Sequence, residues 1–143
     1  MILGTRHTRL PYPIQVGIWL WSMDTRALEL TFGLLILLRG IMLYADPNSM
    51  DAEVYSQFVS TMSRSAWSQV CILAGAFQMA GVFINGNWRK SPWLRFSGAT
   101  VSAIFYAMMA SLFMTADPAL ATTTYAPMAF AMIWTALNIA SKQ

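Results

Sequence analysis

Two ionisable side chains interrupt apolar runs: Glu29 in LELTF and Arg39 in FGLLILLRGIM. A charge at the centre of a bilayer costs at least about 2.5–3.5 kcal/mol, so a charge inside such a run is a functional candidate by default. Depth tempers that reading. Glu29 stands in the first turn of its run, three residues after Arg26, where the helix dipole and an i,i+3 pair both favour a carboxylate. Arg39 precedes Asp46 by seven residues, roughly 10 Å along a helix. Its guanidinium can therefore snorkel to the surface beside Asp46 or turn inward to a buried partner or ligand. Glu29 and Arg39 lie about 15 Å apart along one helix with different azimuths, so they do not pair with each other. The polar residues available to them elsewhere are Gln78 and the threonines of ALATTTYAP. Arg39, Gln78, Thr123, Thr124 and Glu29 thus form the candidate polar site, with Thr122, Tyr125 and Ser102 as neighbours. Hydroxyl-bearing, loosened helices can line transport sites, although the same threonines can instead satisfy their own backbone.

Other chemistry has few residues to work with. His7 is the single histidine and Cys71 the single cysteine. One chain cannot assemble from these a zinc site, a bis-histidine haem site or a Cys/His nucleophile pair. No glycine-rich phosphate loop occurs, and most acids fall between the apolar runs. The expectation is a non-enzymatic protein with no metal and no cofactor.

The elements that must hold these residues follow from composition. Of 143 residues, 57% are hydrophobic and 10% are charged, against about 25% charged in soluble domains. About 20 apolar residues cross a hydrocarbon core. Uncharged or nearly uncharged stretches between charges predict four spans, at about 27–45, 65–86, 96–116 and 119–140. The predicted fold is all-α, a four-helix transmembrane bundle in one membrane domain covering residues 1–143. Residues 1–24 form a basic tail followed by LPYPIQVGIWLWSM, read as an interfacial or re-entrant segment anchored by Trp19 and Trp21. A cleaved signal is disfavoured by Pro13 and by the lack of a small-residue cleavage motif.

Charge distribution orients the bundle. Arg6, Arg9, Arg26, Arg89, Lys90, Arg95 and Lys142 fall on one side, whereas Arg64 stands on the other with Asp46, Asp51, Glu53 and Asp117. The positive-inside rule then places both termini in the cytoplasm, and for a bacterial or phage protein the membrane is the bacterial inner membrane. The basic residues therefore serve topology and not nucleic-acid binding. Interfacial anchors are Trp88, Arg89, Lys90, Trp93 and Arg95 on the basic side, and Tyr44 and Trp67 on the other. Between spans one and two, Met50, Val54, Phe58 and Met62 recur every fourth residue. This spacing predicts an amphipathic helix lying on the outer membrane surface. The tripeptide ADP at 45–47 and 116–118 reads either as a duplicated hairpin or as an Asp cap with Pro opening the next helix. Pro127 predicts a kink in span four. Small residues spaced by four, Ala99, Ala103, Ala107 and Ser111 on span three, match Gly75, Ala76 and Ala80 on span two. These patches allow close packing within the chain or between copies.

Two families share parts of this pattern. GAFQMAGVFINGNWRKSPWLR, an apolar span bearing Gln78 and then a Trp-rich basic turn, resembles small multi-pass membrane proteins of tailed phages, some of them holins. That resemblance implies self-association and permeabilisation of the inner membrane. LELTFGLLILLRGIM resembles the first helix of the DoxX-like four-helix family, with Glu29, Arg39 and Gly40 at the matching positions; Gln78 stands where members often carry an acid. This second resemblance implies an accessory role in redox-linked membrane complexes. A small transporter is the remaining class. Partners expected on either reading are the lipid bilayer and either further copies or the subunits of a membrane complex.

Overall fold

The computed structural model describes residues 25–87 and 92–141. It is helical, with no strand among the described residues. Helix α1 runs Arg26–Ala45. A single 3₁₀ turn, Glu53–Tyr55, leads into the short α2, Ser56–Thr61. Helix α3 is Arg64–Asn87 and α4 is Pro92–Ala116. The chain then makes a turn of helix at Pro118–Leu120, passes through a π-helical segment at Ala121–Tyr125, and continues as α5, Ala126–Ser141. Three helices are long and apolar enough to cross a membrane: Arg26–Ala45, Arg64–Asn85 and Pro92–Ala116. The spans predicted at about 27–45, 65–86 and 96–116 coincide with these three helices to within a few residues.

Buried positions on α1 are Glu29, Gly33, Ile36, Gly40 and Leu43. Their alternating steps of four and three mark one seam along the helix. The seam faces α3, and glycine makes the approach close. A Cβ at Gly75 would lie 2.5 Å from the Leu37 nitrogen and 2.7 Å from the Gly33 carbonyl oxygen; one at Gly40 would lie 2.7 Å from the Ile72 nitrogen. The Ser68 hydroxyl donates to the Gly40 carbonyl across the contact at 2.9 Å. Gly81 and Gly98 serve α3 against α4 more loosely, facing Leu94 and Gln78. Helix α4 in turn packs along α5.

The small-residue stripes divide differently from the expected pattern. Ala99 and Ala103 are buried, but Ala107 and Ser111 are exposed, as are Ala76 and Ala80. A four-residue step advances about 40° beyond a full turn, so two steps from Ala99 the stripe has left the contact face. Gly75, assigned by sequence to the pairing of spans two and three, packs on α1 instead.

The segment between α1 and α3 corrects a second expectation. Only Ser56–Thr61 is α-helical, and Met50 and Phe58 are buried, with Val54 and Met62 packed beside them. The apolar stripe faces the helix ends and not a membrane surface. Phe58 lies against Phe113 (4.7 Å between centroids) and Trp67 (5.4 Å). Trp67, expected as an interfacial anchor, is wholly buried and its indole N–H donates to the Phe58 carbonyl at 2.9 Å. Its depth suited an anchor, but its azimuth turns it to the interior. Arg64, the base standing apart from the others, donates from Nη1 to the carbonyls of Leu43 (2.9 Å) and Asp46 (2.8 Å). It thereby satisfies carbonyls at the C-terminus of α1 and opposes that helix's dipole.

Capping accounts for the second ADP. The Asp117 side chain accepts from the Leu120 N–H at 3.0 Å, and Pro118 occupies the first turn. At the first ADP, Asp46 accepts from Asn48 N–H in a turn that leads to no long helix. Pro127 was expected to kink the helix; the structure has a π segment just before it, where the Ala126 N–H reaches back five residues to Ala121. Widening the turn relieves the clash between the proline ring and the preceding carbonyls.

The glycine contact gives a graded prediction. Gly75→Ala should destabilise by about 1–3 kcal/mol, because backbone must move. Gly33→Ala, whose Cβ would meet the Met79 and Gln78 side chains at 3.2–3.4 Å, should stay within about 1 kcal/mol of the parent, helped by alanine's helix preference. Thermal midpoints in mild detergent compare the two; equal loss at both sites would discount backbone approach as the cause.

Candidate functional site

Four of the five residues of the expected polar site are distributed over three separate places, and Thr123 belongs to none of them. Glu29 belongs to the first. Arg95, from the start of α4, donates from Nε to Glu29 Oε2 at 3.0 Å and from Nη2 to Glu29 Oε1. Thr25 joins both: it accepts from Arg95 Nη2 (3.0 Å) and donates to Glu29 Oε1 (2.9 Å). Glu29 is fully buried and the Arg95 side chain nearly so. This forked ion pair ties the first turn of α1 to α4. Arg95 was expected as an interfacial anchor and Glu29 as the partner of Arg26. Both assignments change because Glu29 lies on the buried seam, out of reach of the surface. The signal was available in the spacing from Glu29 to Gly33, Ile36 and Gly40.

Gln78 belongs to the second place. It accepts from the Ser102 hydroxyl of α4 and its amide reaches the Met132 sulfur of α5 at 4.0 Å. It is buried, so the three helices meet around one satisfied amide. Thr123 faces outward and its hydroxyl donates to the Ala119 carbonyl at 2.6 Å, as Thr122 does to Pro118 at 2.8 Å. These two threonines satisfy their own helix and take no part in a shared site.

Arg39 and Thr124 do come together, in a third place. A cleft of about 180 Å³ lies between α1, α4 and the π segment, and both residues line it with Leu35, Phe105, Tyr125 and Met128. Arg39 flanks the buried seam instead of lying on it, which turns it away from α3 toward this cleft. It does not reach Asp46. Its Nη2 donates to the Tyr55 hydroxyl at 2.8 Å, and its guanidinium carbon sits 5.3 Å from the centre of the Tyr55 ring. Tyr55 comes from the connection between α1 and α3, held there by edge contacts with Phe58 and Phe113. Tyr125 stacks on Phe113 with centroids 5.0 Å apart and rings 4° from parallel. Tyr106 donates to the Phe32 carbonyl at 3.1 Å and closes the floor. Tyr55 and Tyr106 are the residues that sequence reasoning left outside the site, whereas Tyr125 was expected beside Thr124. Nothing in the local spacing of Tyr55 and Tyr106 pointed to them, since each comes from a different element.

Of the remaining assigned residues, Tyr44 and Trp93 are strongly exposed, at 76% and 68%. Trp19, Trp21, Trp88, Arg89, Lys90 and His7 lie outside the described residues, as do the proposed interfacial segment and the basic turn. Among the described residues, no three His, Cys, Asp or Glu side chains are grouped so as to hold a metal ion.

No family model, curated protein or solved structure matches the chain.

The ion pair yields a double-mutant test. Arg95→Met strands a buried carboxylate and should cost about 3–5 kcal/mol. Removing both charges in Glu29→Met/Arg95→Met should recover most of that loss. Thermal midpoints of the purified single and double variants measure it; a double variant as unstable as the sum of the singles would show that the two charges are not coupled.

Proposed function

We propose that the chain is a non-enzymatic integral protein of a bacterial inner membrane, crossing it four times with both termini in the cytoplasm, and that it serves as an accessory subunit of a membrane complex. The observation that carries this reading is the placement of polarity. The interhelical polar groups, Glu29 with Arg95, Gln78 with Ser102, and Ser68 with the Gly40 carbonyl, are satisfied between helices. Large apolar side chains point outward along every long helix: Met42 and Leu38 on α1, Leu73 and Phe83 on α3, Ile104 on α4, Phe130 and Leu137 on α5. Lipid favours this arrangement, because it offers unpaired polar groups no hydrogen bonds.

Support for a fourth crossing comes from residues 118–141, which carry no charge. As a helix of about 1.5 Å rise per residue they would extend roughly 36 Å, enough for a hydrocarbon core of about 30 Å. Three crossings would put the termini on opposite sides; four bring Arg26, Arg95 and Lys142 to one side, as the distribution of basic residues favours.

Membrane permeabilisation in the manner of holins is the second reading. What favours it is an apolar groove of about 300 Å³ between α4 and α5, beside the exposed Ala107 and lined by Ile104, Ile133 and Leu137. Small residues next to an apolar groove suit self-association in lipid. A hole would further need polar faces to line it, whereas the outward faces are apolar and the interhelical polar groups are engaged.

Embedding and topology are tested first, and the two readings are separated afterwards. The chain should stay in the membrane after alkaline carbonate extraction, and cysteines placed at both termini should be labelled only from the cytoplasmic side. Labelling of the two termini from opposite sides would overturn the four-crossing topology. On induced expression the accessory reading expects a maintained membrane potential and co-purification of stoichiometric partners in gentle detergent. Abrupt collapse of the potential would favour permeabilisation instead.

A further inference from the structure

The Arg39 cleft has an imbalance that neither of the other polar places shows. Arginine carries five N–H donors and a fixed charge. Among the described residues Arg39 reaches one acceptor, the Tyr55 hydroxyl, and no carboxylate lies within ion-pair distance of it. No buried side-chain nitrogen or oxygen lacks a partner among the described residues, so the remaining donors of this half-buried residue stay accessible. Thr124 and Tyr125 add two hydroxyls with no hydrogen-bond partner among the described residues, in a helix whose other two threonines both bond back to their own carbonyls. Tyr125 lies within electrostatic range of Arg39. The π segment is what presents Thr124 and Tyr125 here, and such segments recur at functional sites.

The rest of the lining is apolar, from Leu35, Phe105 and Met128 among others, and Leu35 is exposed at the cleft's edge. The cleft therefore combines one fixed positive charge and hydroxyls free to donate with a largely apolar lining, and no carboxylate is among its lining residues. At about 180 Å³ it is smaller than the roughly 300–1,000 Å³ of pockets that enclose whole ligands. It suits one end of a molecule whose remainder lies along the exposed apolar face.

We propose that this cleft binds the oxyanion head of an acidic amphiphile, a carboxylate or phosphate carried on an apolar chain, with Arg39, Thr124 and Tyr125 as donors. Neutralising a cation with no ion-pair partner among the described residues favours an anion over an uncharged head. The head can come from an anionic phospholipid of the surrounding bilayer or from a free fatty acid, and both present the same acceptor chemistry. The inference rests on the reading of the chain as membrane-embedded.

The test uses the full chain in nanodiscs of phosphatidylcholine at alkaline pH, with dodecanoate as the probe and dodecanol as its uncharged counterpart. Saturable dodecanoate binding, followed by thermal stabilisation and by adducts in native mass spectrometry, should be at least about tenfold tighter than dodecanol binding. Arg39→Gln should weaken dodecanoate by at least about tenfold, the scale of a lost charge-assisted bond, and leave dodecanol unchanged. Thr124→Val, at a hydroxyl that the fold does not use, should weaken dodecanoate about threefold or more and serves if Arg39→Gln fails to fold. Displacement of dodecanoate by phosphatidylglycerol in the discs identifies the bilayer as the source; retention identifies a free acid. Equal binding of dodecanol and dodecanoate, or dodecanoate binding unaltered in the folded variants, overturns the proposal. A chain that carbonate extracts from membranes fails the embedding reading. One that stays embedded and ignores dodecanoate fails only this inference.

Discussion

The approach of α1 to α3 at glycine sets the geometry on which everything else rests. With Gly75 against the backbone of Leu37 and Gly40 against that of Ile72, the two helices have essentially one azimuth at which they fit. That azimuth puts Glu29, Gly33, Ile36, Gly40 and Leu43 on the inside. In lipid no hydrophobic force drives helices together, so van der Waals contact at close range and interhelical hydrogen bonds must do so. Glycines at the seam permit the first, and the Ser68 hydroxyl on the Gly40 carbonyl supplies one of the second.

Glu29 and Arg39 on α1 take opposite roles from that one azimuth. Glu29 lies on the seam and is buried, which obliges a partner; Arg95 supplies it from α4 and so couples the α1–α3 pair to the α4–α5 pair. Arg39 lies one residue off the seam. It is turned to the cleft beside the π segment, where a hydroxyl and an aromatic ring face it and, among the described residues, no carboxylate does. A buried ion pair broken on one side is costly, so the Glu29 place reads as a structural tie. A cation that retains accessible donors in an apolar cleft reads as a place for something else.

The aromatic cluster at the Asp46 end makes the cleft depend on the connection between α1 and α3. Phe58 plugs the helix ends against Trp67 and Phe113, and its neighbour Tyr55 is carried onto Arg39. Phe113 stacks on Tyr125 in turn. The length of α1, the short α2 and the widened turn before Pro127 thus meet at one set of rings, and the cleft's chemistry comes from three elements distant in sequence.

Composition and charge spacing by themselves determined the helical class and the positions of the long apolar helices. Both follow from a property of consecutive residues: apolar runs of sufficient length. What sequence could not determine was azimuth between elements. Trp67 has the depth of an anchor and is buried; Arg95 has the charge of an anchor and faces Glu29; Met50 and Phe58 have the spacing of a surface helix and line the bundle's end. The stripe from Ala99 to Ser111 precesses off its contact face. Only the tertiary structure decided these, because a side chain's partner depends on which face its helix presents, and that is settled by how closely the backbones approach.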